Sequence, residues 1–163
     1  MALPKIKNPT YPLTLPLSGH KLTFRPYTVG DEKLLLAAAS ARESNPDFYV
    51  ENTLKVIRNC IDDKEGLLET LPSVDVEYLL LQIRAKSVSE TTKIKVGDEE
   101  VSINLEEVSL EKHADHDYKI ALSDDVGVVM KDLSFVDKMA YARYDREEDK
   151  SEMVIRTLVD CID

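Results

Sequence analysis

The stretch VEYLLLQIRAKSVSETTKIKV, residues 76–96, changes from one kind of secondary structure to another within a few residues. Its first apolar residues fall at i, i+3, i+4 and i+7: Val76, Leu79, Leu80 and Ile83. That spacing is typical of the buried face of a helix, and Ser73 or Asp75 is expected to cap its start. After Ser89 the period changes to two, since Ile94 and Val96 alternate with lysines. The stretch therefore predicts a helix that passes directly into a strand.

The junction between that helix and that strand admits two interpretations. Arg84 and Lys86 lie where positive charge meets the negative pole of the helix dipole. Ser87 and the residues up to Glu90 provide hydroxyls and charges that could bind a ligand, or could satisfy the backbone groups freed at a helix end. We favour the second interpretation, because every helix end needs such partners.

On either side of this stretch, helical spacing and strict alternation of apolar residues predict the remaining helices and strands. Residues 11–27 form a hairpin with its turn at Ser18 and Gly19, and a helix begins at Thr28 with a capping box to Asp31. The sequence Asn45-Pro46 is expected to end that helix. The later elements are a helix at 48–61, strands at 94–96, 101–105 and 118–122, a strand or buried connection at 126–130, and helices at 135–144 and 153–162.

Because helices and strands are segregated along the chain, we predict an α+β fold. It consists of an N-terminal hairpin, a helical segment, an antiparallel β meander and C-terminal helices. The three parts, residues 1–90, 91–134 and 135–163, are expected to form one composite domain.

The bulk composition limits the classes of partner. The chain has 163 residues and a net charge of -10, which disfavours nucleic acid and anionic lipid. Cys60 and Cys161 are its only cysteines, a number that fits a reducing compartment. No segment has the roughly 20 apolar residues of a membrane span, and residues 1–13 lack a signal-peptide stretch. We therefore expect a protein without a membrane span that is made and used in a cytoplasm.

The strongest candidate for metal chemistry is the segment EKHADHD, residues 111–117. His113 and His116, with the nearby carboxylates, could ligate a transition metal. A zinc site needs three or four convergent ligands, and no further ligand cluster is evident. A solvated loop between two strands is the favoured interpretation, and a small metalloprotein or metal-dependent enzyme is the alternative.

Three segments of the chain resemble the baseplate hub proteins of T-even-like contractile-tailed bacteriophages. They are YPLTLPLSGHKLTFRPYTVGDEKLLLAA (11–38), LPSVDVEYLLLQIRAKSVSE (71–90) and KIALSDDVGVVMKDLSF (119–135). The family usually has Gly in place of Ser89, and some relatives have a paired-cysteine segment that this chain lacks. Relatives tend to continue past the last helix, which favours a native chain that extends beyond Asp163 over one that ends there.

The resemblance implies a non-enzymatic hub component or hub assembly factor, with no catalytic residue, metal or cofactor. Its partners would be other baseplate hub proteins and the tape-measure protein. It would occupy the host cytoplasm during assembly and would then either remain in the virion tail or leave it. The predicted interaction residues are the corner Arg25, Pro26 and Tyr27 and the junction residues Arg84, Lys86 and Ser87, although both groups can equally be determinants of the fold.

Overall fold

The computed structural model describes residues 8–61, 66–111, 118–141 and 150–162. Along these ranges the strands are β1 (Tyr11–Thr14), β2 (Lys21–Phe24), β3 (Thr91–Val96), β4 (Glu99–Asn104), β5 (Lys119–Ala121) and β6 (Gly127–Val129). The helices are α1 (Val29–Ser40), α2 (Pro46–Ile61), α3 (Leu67–Thr70), α4 (Ser73–Ser87), α5 (Phe135–Tyr141) and α6 (Lys150–Asp160).

The N-terminal hairpin is held to α4 by one buried carboxylate. Strands β1 and β2 pair antiparallel, and Gly19 adopts a φ of 73° in the turn, a conformation that glycine accommodates without strain. The two carboxylate oxygens of Asp75 accept hydrogen bonds from the backbone N–H groups of Leu17 and Ser18, each at 2.8 Å. The prediction that Ser73 or Asp75 caps α4 is wrong, because Pro72 occupies the cap position and no side chain caps this end.

Helix α1 begins with the predicted capping box. The hydroxyl of Thr28 accepts a hydrogen bond from the Asp31 N–H, and the Asp31 carboxylate accepts one from the Thr28 N–H. The helix ends at Ser40, before the predicted stop. Pro46 instead opens α2, where its fixed φ suits the first helical turn and its missing N–H costs nothing.

The hydrophobic core lies where the helices α2 to α5 meet the first hairpin. Its most enclosed apolar side chains are aliphatic: Leu15, Ile57, Leu68, Leu71, Val76 and Leu79. Helix α3 was not predicted, because four residues are too few for a periodic pattern. Phe135 and Met139 bring α5 into the same core.

The α+β class is confirmed, and the strands of the described residues pair as three separate two-stranded ribbons. The ribbon β3–β4 is joined to α4 through Leu105, whose carbonyl oxygen accepts a hydrogen bond from Gln82 Nε2 of the helix at 3.4 Å. The segment at 126–130, left open between strand and connection, contains β6, paired with β5. In the described ranges no helix is long and apolar enough to cross a membrane.

Candidate interaction surfaces

The Arg25-Pro26-Tyr27 corner is tied into the fold by polar contacts. The Nη1 atom of Arg25 donates to the Pro26 carbonyl oxygen at 2.8 Å and to Asp31 Oδ2 at 2.9 Å. Burial raises the pKa of Asp31, but the hydrogen bonds from Thr28 and Arg25 outweigh it, so the pKa lies below its usual value. All three corner residues are half-buried, and Arg25 Nη1 and the Tyr27 N–H donate hydrogen bonds within the fold.

The residues of the helix–strand junction are also held by contacts within the fold. Lys86 Nζ forms ion pairs with Glu90, at 3.1 Å, and with Glu106, and it lies 5.4 Å from the centre of the Tyr11 ring. Hydrogen bonds to Glu106 and Glu90 raise the pKa of Lys86, so it stays cationic at neutral pH. Arg84 is exposed at the same helix end.

Ser87 brings the two predicted sites together. Its hydroxyl donates to the Ile83 carbonyl oxygen at 2.5 Å and accepts from the Tyr27 N–H at 3.0 Å. The corner and the junction are thus neighbours, 60 residues apart in sequence, and Ser87 satisfies backbone groups as the helix-end interpretation expects. Sequence periodicity contained no signal for this contact.

The structure describes the two cysteines but not the two histidines of the candidate metal site. His113 and His116 lie outside the described residues, and within those residues no three or more His, Cys, Asp or Glu side chains group together as metal ligands would. Both Cys60 and Cys161 are free thiols. Burial raises the pKa of Cys60 to about 11, so this thiol is protonated and a weak nucleophile at neutral pH.

Helix α6 presents a group of exposed apolar side chains. Its residues are Val154, Ile155, Leu158 and Val159, with exposures between 52% and 61%, and Ile162, just beyond the helix, is 43% exposed. Ile155, Leu158 and Val159 lie three and four residues apart and share a face of α6, and the structure directs that face to solvent. Exposed apolar surface grouped in this way marks interaction sites in many proteins.

Two ribbons add further exposed apolar side chains. On β3–β4, Ile94 pairs with Val101 across the strands, and both are 42% exposed. In and beside the β5–β6 ribbon the exposed residues are Ile120, Leu122, Val126 and Val129. An isolated two-stranded ribbon is marginally stable in water, so contacts on these faces would stabilise it.

These features define a small α+β protein with a helical core, short antiparallel ribbons and apolar side chains left on the surface of its C-terminal part. The model of a family described as T4 bacteriophage base plate protein matches residues 8–163, and the chain belongs to that family. No curated protein and no solved structure matches the chain. The resemblance seen in the sequence is therefore confirmed at the level of a T4-like phage baseplate protein.

Proposed function

We propose that the protein is a non-enzymatic component of the baseplate hub, or a factor that assembles the hub, and that it acts by docking to other proteins. The observation that carries this proposal is the family match over residues 8–163, together with the apolar side chains exposed on α6 and the two C-terminal ribbons. Its three parts form one composite domain, which is supported by the packing of Phe135 and Met139 against the helical core.

The partners in this proposal are other hub proteins and the tape-measure protein. The net charge of -10 favours partners with basic surfaces over nucleic acid. A stable interface of this kind buries about 1,600 Å² in total. Assembly would take place in the host cytoplasm, and the protein would then be retained in the contractile tail or released from it.

The corner and the junction remain part of the proposed surface. Their internal contacts leave Arg84 exposed beside half-buried Lys86 and Tyr27, so charge is presented next to a rigid backbone. Arg84→Glu is expected to weaken hub binding, whereas Lys55→Glu, the same charge reversal on the exposed side of α2, should not. Equal binding by both variants would remove the junction from the interface.

Crosslinking and mass spectrometry on isolated baseplate intermediates tests the function directly. Crosslinks from Lys119 and Lys131, next to the exposed apolar residues, should reach hub proteins more often than crosslinks from Lys33 on α1. Mass spectrometry of purified particles then separates a virion component from a released assembly factor. Intermediates that contain no crosslink from this chain to any baseplate protein would refute the proposal.

A further inference from the structure

Helix α6 is attached to the rest of the chain by its less apolar side. Met153 and Thr157 are half-buried, and the Tyr141 hydroxyl donates a hydrogen bond to Asp160 Oδ2. At the end of the helix the Lys131 N–H donates to the Cys161 carbonyl oxygen at 2.7 Å. An ordinary surface helix buries its apolar face, so the orientation of α6 is the reverse of the usual one.

The exposed face has the spacing of a helix that binds in a groove. Ile155, Leu158 and Val159 occur at i, i+3 and i+4, three of the anchor positions of that recognition mode. Ile162, at i+7, lies beyond the last helical residue and forms an isolated β-bridge with Met130. An 11-residue helix is about 16 Å long and 10–12 Å wide, so one face covers roughly 180 Å². A stable interface buries about 800 Å² on each partner, so α6 supplies only part of such an interface and the neighbouring surface of the chain has to supply the rest.

The charges at the C-terminal end of α6 indicate which groups would face it. Its last turn contains no basic residue and ends in Asp160, and Asp163 follows in the sequence. Carboxylates near the negative pole of a helix are unfavourable unless cations lie nearby. The Tyr141 hydroxyl satisfies one hydrogen bond of Asp160 but brings no positive charge.

We propose that α6 is a recognition helix that inserts its Ile155, Leu158 and Val159 face into an apolar groove of another baseplate protein. Lys or Arg side chains lie at the end of that groove that receives the C-terminus of α6. This inference rests on the proposed docking function and specifies the segment and the partner chemistry.

A second copy of the chain is disfavoured by its charge. Among the described residues, a groove along α4 has a volume of about 110 Å³, on the scale of a single side chain, and Glu77 lines it with an acidic group. A larger depression of about 610 Å³ lies on the first hairpin, lined by Pro12, Leu13, Thr14, Lys21, Leu22 and Thr23. Two chains of net charge -10 also repel each other, so a basic, different protein is the better occupant.

The test uses the full chain and each purified hub protein of the same phage, immobilised singly on a biosensor. Leu158→Gln keeps a good helix former but removes an apolar anchor, and Leu36→Gln is the matched control on α1, where Leu36 is similarly exposed. Leu158→Gln is expected to weaken binding about tenfold or more, and Leu36→Gln less than twofold. Circular dichroism should show the same helix content in all three chains.

The charge part is tested with Asp160→Asn, which retains an oxygen acceptor for Tyr141. Its affinity should fall less steeply with added salt than that of the wild type, because one cation-facing charge is gone. An unchanged salt dependence, or equal binding by Leu158→Gln and wild type, overturns the inference while leaving the docking function intact. Self-association that Leu158→Gln abolishes in sedimentation also overturns it. If wild type binds no hub protein, the proposed function itself fails.

Discussion

Asp75→Asn tests whether a single buried carboxylate holds the N-terminal hairpin to the helical core. Asp75 is fully buried, and its two oxygens accept the N–H groups of Leu17 and Ser18. Asn retains one oxygen and directs an NH₂ group toward the other N–H donor. A hydrogen bond to a charged group contributes about 1.5–3 kcal/mol, and an unpaired buried donor adds a similar penalty. We therefore expect a loss of about 2–4 kcal/mol in the free energy of unfolding.

The assay is urea unfolding followed by circular dichroism, with the thermal midpoint as a second measure. For a chain of this size a loss of 1 kcal/mol lowers Tm by about 2–4 °C, so the expected decrease is about 4–16 °C. Glu77→Gln is the matched control, because Glu77 is an exposed carboxylate on the same helix whose pair with Lys138 contributes about 0–1 kcal/mol.

Amide hydrogen exchange shows which part of the molecule is destabilised by Asp75→Asn. Asp75→Asn should accelerate exchange of the Leu17 and Ser18 amides more than that of amides in α2. If Asp75→Asn and Glu77→Gln unfold within about 0.5 kcal/mol of each other, the carboxylate does not anchor the hairpin and the reasoning fails.

Two further predictions concern Cys60 and the helix–strand junction. The folded pKa of Cys60, about 11, exceeds the unfolded value of about 8.5, so its contribution to stability is complete below pH 8.5 and is lost as pH rises toward 11. Urea unfolding at pH 8 and pH 10.5 measures this loss of stability. The free energy of unfolding should fall less between the two pH values in Cys60→Ala than in the wild type, and Cys161→Ala should behave as the wild type does. Ser87→Ala removes the acceptor of the Tyr27 N–H and should lower the free energy of unfolding by about 1 kcal/mol. The control Ser102→Ala, at an exposed serine, should lower it by less than about 0.5 kcal/mol. Equal losses in the two variants would contradict the contact between Ser87 and Tyr27.

Local patterns in the sequence predicted the local elements well. The capping box from Thr28 to Asp31 and the period change after Ser89 depend only on residues within a few positions of each other. The first hairpin follows from alternation around Gly19. Short-range signals of this kind are physical properties of the segment itself, so no tertiary information is needed to recognise them.

Contacts between distant segments could not be predicted in this way. Asp75 has the residue type and position of a helix cap, yet its partners are 57 and 58 residues earlier in the chain. The amphipathic pattern of α6 predicts a helix with one apolar face, but not that the face would be directed to solvent. Both outcomes depend on which elements pack together, and a periodic pattern does not contain that information.

The distance along the chain between Leu17 and Asp75 has a consequence for synthesis on the ribosome. Elongation proceeds at about 5–20 residues per second, so the 58 residues that separate them take roughly 3–12 s to translate. Throughout that interval the nascent hairpin lacks its carboxylate anchor. Slow codons within this region would prolong the exposure of Leu15 and Phe24, which the finished core encloses.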